Sequence, residues 1–306
     1  MNYIWLYIIT VLIWGSSWFA ITFQIGVVDE VVSVFFRFLL AAVLLLVFCV
    51  VTQRQLRFSL RDHWFMFMQG LCLFCLNYVL IYYATAYISS GLVAVAFSIL
   101  VILNIFNAAI FLKRPIRPMV LLGAVVGLVG IALVFSHELI AAKQTMNTKT
   151  ILMGLLLVLV AAYSASLGNI ISARNQSVGI PVVQANAFGT LYGSVILFVY
   201  GLVVGAQYNI DWTWPFAASL LYLCVFGTII AFGAYLSLVG KIGADKAAYA
   251  MVLFPIVALL ISTVFEGFEW SPLAVLGVAL VIIGNVVVVG WRQITQAFKQ
   301  PDAKAM

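Results

Sequence analysis

The chain is written in long apolar runs separated by short polar links. Ten runs of about twenty residues recur, at 3–24, 31–52, 64–86, 90–112, 117–136, 150–172, 182–205, 215–240, 244–265 and 270–290. They do not alternate apolar and polar positions in pairs, as a strand with one wet face would. Twenty helical residues rise about 30 Å, the thickness of a bilayer's hydrocarbon core. In lipid every backbone N–H and C=O must be satisfied internally, which runs of this length achieve as helices. The pattern predicts an all-α integral membrane protein with ten transmembrane helices. The longest link covers 137–149, so no soluble domain is inserted. The first run is long enough to span and has no basic segment before it, which argues against a cleaved signal peptide.

The two halves of the pattern resemble each other. Tyr87 to Val134 lies without a gap on Lys241 to Val288, 154 positions further on. Ile88, Phe111, Pro118, Gly123 and Gly130 then meet Ile242, Phe265, Pro272, Gly277 and Gly284. Each half holds five spans. Five is odd, so the second half enters the membrane from the opposite side. The expected architecture is two inverted five-helix repeats, at 1–140 and 148–295, followed by a tail at 296–306. Inverted repeats allow one central site to open alternately to either face, which is how a transporter works.

Composition agrees with a lipid-facing chain, being 66% hydrophobic and 8% charged. The net charge of +6 sorts by loop. With the N-terminus inside, Arg54, Arg57, Arg61, Lys113, Arg114, Arg117, Arg174, Lys241, Lys246, Arg292, Lys299 and Lys304 all fall inside. Lys143 and Lys149 fall outside, and Arg37 lies within a span. Basic residues flanking spans favour the cytoplasm, so both termini are expected there, in a multi-pass cell (inner) membrane protein. The charge is a topology signal, and no basic patch for nucleic acid is visible. Cys49, Cys72, Cys75 and Cys224 lie in spans. Cys72 and Cys75 form a C-x-x-C, but His63 and His137, the only histidines, sit in loops on opposite sides. A zinc site needs more ligands, so the cysteines read as small packing residues without a disulfide. No paired acids or histidine–carboxylate cluster share one depth, which argues against an enzyme. No cofactor is implied.

At this point the sequence resembles the drug/metabolite transporter superfamily, in its ten-span EamA-type branch. The opening of span 1, Trp14-Gly15-Ser16-Ser17, is similar to that family's W-G-S-x. The junction of spans 3 and 4, Tyr82-Tyr83-Ala84-Thr85-Ala86-Tyr87-Ile88-Ser89-Ser90-Gly91, is repeated as Tyr235 to Ala244. Span 9 carries Pro255 and then Glu266, and span 10 carries Gly277 and Gly284. Two positions depart from the pattern. Val101 stands where the family often has proline, and Lys113 and Arg114 stand where it often has an acid. The resemblance implies secondary transport of small metabolites or drugs, usually outward. The substrate does not follow from family membership. An assembly or sensor subunit that does not transport is the alternative.

In such a repeat the site is expected near the midplane, between the halves. Span 1 offers Trp14 and Trp18, one turn apart, with Ser17 beside them. Span 6 offers Tyr163 and Ser166 in the equivalent place. Span 3 offers Asn77, Tyr78 and Tyr82, and span 8 offers Tyr235. Span 4 offers Phe97, Ser98 and Val101, with Met251 and Pro255 in span 9 as their counterparts. Aromatic walls with a few hydroxyls and amides suit an amphipathic or aromatic solute such as an amino acid. They also suit an organic cation. Trp5, Tyr7 and Trp270 read as interfacial or lipid-packing rings. Asn104 and Asn107 read as interhelical hydrogen-bonding residues.

Arg37 is the one charge well inside a span. It is read as structural or gating, satisfied by snorkelling or capping two turns from the helix end. Glu266 is read as gating or structural. No Asp or Glu lies deep in a span, and a carboxylate relay is the usual proton-coupling device, so uniport or exchange is favoured. Pro255 removes a backbone hydrogen bond and is expected to bend span 9 beside the cavity. Gly123, Gly127, Gly130, Gly277 and Gly284 read as close-packing residues, within the chain or across a dimer. The partners implied are a small-molecule solute and membrane lipid, with a monomer or weak homodimer as the assembly.

Overall fold

Helices account for all the regular structure among the described residues of a computed structural model of the chain. Residues 3–24, 27–85, 87–88, 93, 96–136, 140, 147–208, 213–265 and 270–298 are described. The side chains of residues 18, 85, 245, 262, 285, 286 and 288–298 lie outside that set. The helices are α1 (Tyr3–Thr22), α2 (Glu30–Val51), α3 (Leu60–Gln69, Gly70–Leu76 and Asn77–Thr85 in one run), α4 (Leu100–Leu112) and α5 (Pro118–Val134). The second half supplies α6 (Thr148–Ser177), α7 (Val182–Val204), α8 (Trp214–Tyr222, Leu223–Ile230 and Ala231–Ile242 in one run), α9 (Ala250–Phe265) and α10 (Pro272–Phe298). Six of these are long and apolar enough to cross a membrane, and α4, α5, α9 and part of α10 are shorter apolar helices.

Local chemistry sets the ends. Asp29 caps α2 by accepting from Val31 N at 2.9 Å, and Asn147 caps α6 by accepting from Lys149 N at 3.0 Å. Pro118 opens α5, where its missing N–H costs nothing. Gly243 ends α8 at φ 95°, a backbone conformation that suits glycine.

The packing has a pseudo-two-fold pattern. Helix α1 packs on α9 and α8, and its counterpart α6 packs on α4 and α3. Helix α2 packs on α8, and α7 packs on α3. The remaining extensive contacts, α2 on α7 and α5 on α10, join a helix to its own counterpart. Exchanging the halves maps this contact set onto itself, as two inverted five-helix repeats require.

The glycines show the same exchange at atomic scale. A Cβ at Gly130 would sit 2.6 Å from Gly277 O, and one at Gly284 would sit 2.7 Å from Gly123 O. Gly123 and Gly130 are the repeat counterparts of Gly277 and Gly284, so the two contacts are one contact seen twice. Side chains here would push α5 and α10 apart, and the glycines are therefore spent inside the chain.

Two features are absent from the sequence expectation. Among the described residues spans 4 and 9 are each interrupted by a turn, at Ser98 and Ile99 and at Ala248 and Tyr249, the latter following a short helix at Ala244–Ala247. Regular helix begins at Leu100 in α4 and at Ala250 in α9. Just before, the backbone is held by tight i→i−3 bonds, Ile99 N to Ala96 O at 3.2 Å and Tyr249 N to Lys246 O at 3.2 Å. Discontinuous helices at corresponding places mark transporter binding regions. Second, α3 and α8 each contain a π-helical segment, Gly70–Leu76 and Leu223–Ile230. Shifting the first by 154 positions lays it on the second within a residue. The remaining boundaries agree within a few residues, except that α6 runs on to Ser177 and α10 runs on to Phe298, into the stretch expected to be tail. Most of the 137–149 link lies outside the described residues.

Candidate functional site

The two π segments occupy corresponding places in the two repeats, and the candidate site is built around them. A π turn lengthens the hydrogen-bonding reach of the backbone and releases carbonyls to side chains. In α8 the carbonyl of Gly227 accepts from Trp14 Nε1 of α1 at 3.1 Å. In α3 the carbonyl of Cys72 accepts from Ser164 Oγ of α6 at 2.9 Å. Helix 1 of each repeat thus donates into the π segment of the other repeat.

From Trp14 a chain of rings crosses the interface. Its indole lies 4.9 Å from the Phe232 ring and 5.1 Å from the Tyr235 ring. Phe232 contacts Phe74 at 5.0 Å, Phe74 contacts Phe38 at 5.3 Å, and Phe38 contacts Tyr78 at 4.9 Å. These tilted and edge-on geometries are those aromatic quadrupoles prefer. Trp14, Tyr78 and Tyr235 were sequence candidates. Phe38, Phe74 and Phe232 were not, because phenylalanine is the default filler of apolar spans and carries no polar signal.

A polar ladder continues from Tyr235 towards the face where α1 begins. Its hydroxyl accepts from Asn169 Nδ2 at 3.1 Å, which also lies 3.4 Å from Asn104 Oδ1. Asn107 Nδ2 donates to Ser166 Oγ at 2.8 Å. Ser166 and Asn169 sit three apart on α6 and meet Asn104 and Asn107, three apart on α4, as one helix face meeting another. Closer to that membrane face, Gln69 Nε2 donates to Asn186 Oδ1 at 3.1 Å and Asn175 Nδ2 donates to Gln69 Oε1 at 3.0 Å. Arg174 then pairs with Asp62 at 3.6 Å. Asn104 Nδ2 and Asn169 Oδ1 remain buried without a hydrogen-bond partner.

Arg37 departs from the snorkelling expectation. It is 5% exposed, and its Nε donates to Thr228 Oγ1 of the α8 π segment at 2.8 Å. The guanidinium carbon lies 5.4 Å from the Tyr78 ring and 5.6 Å from the Phe38 ring. The head group therefore sits at the depth of Trp14's partner Gly227, and it does not reach up to an interface. The cause is α8: its π turn presents Thr228, whose hydroxyl donates to Leu223 O at 3.0 Å and so turns its lone pairs to Arg37.

The other sequence candidates are distributed as follows. Ser17 is buried, donates to Ile13 O at 2.7 Å and faces Gly227. Asn77 is buried beside Tyr78 and its Oδ1 has no hydrogen-bond partner. Met251 belongs to the main apolar cluster that holds Tyr235, and Tyr82 and Phe97 pack against it. Ser98 is buried. Val101 belongs to a second cluster with Tyr249 and Val252. Pro255 is buried in α9, where α1 presses Gly15 against the Phe254 carbonyl, so that a Cβ there would lie 3.0 Å from it. Tyr163 is 44% exposed, on a stripe with Leu152, Leu156 and Leu159, so it faces outward where Trp14 faces inward. The side chain of Trp18, and Glu266 and Glu269, lie outside the described residues. Tyr7 packs against two buried clusters and is not an interfacial ring, whereas Trp5 and Trp270 are exposed. All four cysteines are free, and among the described residues no three His, Cys, Asp or Glu side chains come together.

Comparison with known proteins gives one consistent answer. The EamA-like transporter family matches residues 1–136 and 152–290. The chain is 26% identical to the uncharacterized transporter YoaV of Bacillus subtilis, over 81% of this chain and 83% of that one. It is 25% identical to the uncharacterized inner membrane transporter YedA of Escherichia coli, over 89% and 87%. It is 21% identical to protein PagO of Salmonella typhimurium, over 91% and 90%. A solved crystal structure at 16% identity has a TM-score of 0.77 over 94% of this chain and 97% of the other, a likeness of fold.

Proposed function

The chain belongs to the EamA-like transporter family, and we propose that it exports small amphipathic or aromatic metabolites by alternating access. The observation that carries this reading is the Trp14 to Tyr78 ring chain. It lies at the pseudo-two-fold interface, beside both π segments and beside the two discontinuous helices. A solute there stacks on rings and reaches hydroxyls and amides of both repeats. Rocking one repeat against the other then moves its access from one face to the other. The site is Trp14, Ser17, Asn77, Tyr78 and Tyr235, with Tyr82, Phe97 and Met251 at its margin.

The membrane is the cytoplasmic (inner) one, in keeping with the inner membrane description of the Escherichia coli relative. Both termini face the cytoplasm, supported by the twelve basic residues on that side. A cysteine placed at Asp211 then labels from outside intact cells, and one at Arg57 does not; the reverse pattern defeats this orientation. Transport is tested with purified protein in liposomes loaded with single solutes from a panel of amino acids, nucleobases and amines. Flux of at least one solute above protein-free liposomes is expected. No flux for any of them would return the chain to a non-transporting role.

A further inference from the structure

We propose that Arg37 is the recognition group for a carboxylate on the transported solute. The inference rests on the transport reading above and adds the class of substrate. It begins from an imbalance. Arg37 is the only charged residue that is buried among the described residues. A guanidinium stays charged at every physiological pH and carries five N–H donors. Withdrawing it from water costs several kcal/mol unless charge and hydrogen bonds are returned. Here one donor, on Nε, is spent on Thr228. Two ring faces, Tyr78 and Phe38, return part of the charge stabilisation. Among the described residues the one ion pair is Arg174 with Asp62, and no described acid pairs with Arg37. Glu30 lies seven residues before it on α2, about 10 Å along the helix.

The surroundings are arranged to hold the group and leave its fork free. The Thr228 hydroxyl, oriented by Leu223 O, fixes Nε and so the plane of the guanidinium. Gly227 keeps side-chain atoms out of the corner beside Nη2. A Cβ there would stand 3.2 Å from both Nη2 and the Ser17 hydroxyl. One turn before Arg37 on the same face of α2, the Ser33 hydroxyl is buried without a partner. A planar carboxylate matches the two Nη groups in a bidentate pair. One fixed cation between aromatic rings therefore selects a monoanionic or zwitterionic solute with an apolar body. It works against an organic cation, which would meet like charge in a site sheltered from water.

The test uses full-length protein in detergent and four probes of one shape: phenylalanine, hydrocinnamate, phenylalaninamide and phenethylamine. Phenylalanine and hydrocinnamate, which carry a carboxylate, are expected to raise the thermal midpoint, and the other two are not. Arg37→Gln should weaken hydrocinnamate binding by at least about tenfold, the worth of one charge-assisted hydrogen bond. Arg37→Lys should recover part of that, because it restores charge without the fork. Thr228→Val should weaken binding less than Arg37→Gln, since it frees the plane and keeps the charge. The proposal is overturned if the two amines stabilise as well as the acids. It is also overturned if neither acid stabilises, or if Arg37→Gln binds hydrocinnamate as the parent does. Should Arg37→Gln not fold, unchanged affinity in both Arg37→Lys and Thr228→Val overturns it instead. Flux in liposomes separates the two readings. Amines that bind and cross leave the transport reading standing without the carboxylate; acids that bind but do not cross leave the carboxylate site standing without transport.

Discussion

The two contacts that seat helix 2 of each repeat on the other repeat's π segment are built in opposite ways. On one side α7 meets α3 by backbone. A Cβ at Gly193 would sit 2.9 Å from the Phe74 Cβ and 3.2 Å from Gly70 O, and a Cβ at Gly70 would run into the Gly189 carbonyl. On the other side α2 meets α8 through a long charged side chain, Arg37, with Thr228 and Gly227 opposite. One fold position has become a rigid zipper in one half and a polar site in the other. A duplicated architecture therefore does not imply duplicated function. The repeat sets where two helices cross, and the side chains at the crossing decide whether it locks or binds.

The largest effect that tests this contrast is steric. Gly70→Ala should meet backbone on α7, which cannot swing aside, and should cost about 1–3 kcal/mol through overpacking. Gly227→Ala, in the counterpart segment, meets the ends of Arg37 and Ser17, which can move. Its folded yield should stay near the parent's while solute affinity falls. Equal thermal midpoints for the two variants would erase the distinction between zipper and site.

Movement comes next. Pro255, inside α9, leaves the Met251 carbonyl without its helical donor, while Val101 lies in the first turn of α4 and donates its N–H to Ser98 O at 3.2 Å. Two arrangements of similar energy are needed for alternating access, and restoring that bond should favour one. Pro255→Ala is expected to slow flux severalfold with a smaller change in binding, and to bias labelling of cysteines near Trp14 towards one face. Unchanged flux and two-sided labelling would reduce the proline to a shape of α9.

Much of this was legible in the sequence. Ten spans follow from hydrophobic run length, and the repeat follows from an ungapped match whose glycine pairs reappear as the α5–α10 contact. Trp14, Tyr78 and Tyr235 were visible as mid-span aromatics with polar tips. Asn104 and Asn107 were visible as hydrogen-bonding residues, and they pair with Asn169 and Ser166. Two kinds of information were not legible. The π segments carry no proline and no distinctive period. Gly70 and Gly227 sit in them as glycines sit in any packed span, so the shift from four to five residues per hydrogen bond leaves no mark in composition. Direction was the other. Tyr163 holds a place in the sequence pattern of span 6 equivalent to that of Trp14 in span 1 yet faces outward, because the inward bond to the opposite π segment is made by its neighbour Ser164. The depth of Arg37 depended on the same unseen turn, which places Thr228 under it.

The polar ladder offers a smaller test. Asn169 is the residue that joins α4 to α8 through Asn104 and Tyr235. Asn169→Ala should lower stability by about 0.6–1.7 kcal/mol, the range for interhelical hydrogen bonds in membranes, read as a drop in thermal midpoint. No drop would mean that α4 and α8 are held by apolar packing alone. Smallest of all, Tyr163→Ala removes an outward ring and should change stability by less than about 0.5 kcal/mol.

Liposome flux of one solute, chosen as the strongest thermal stabiliser, measured side by side in the parent, Trp14→Ala and Tyr163→Ala, tests the central claim most directly. Trp14 and Tyr163 hold equivalent places in the sequence pattern of spans 1 and 6, but only Trp14 stands in the ring chain between the halves. Trp14→Ala should stay folded and lose about tenfold in flux, while Tyr163→Ala keeps the parent rate. Parent-like flux from folded Trp14→Ala, or an equal loss in both variants, would contradict a site built at this interface.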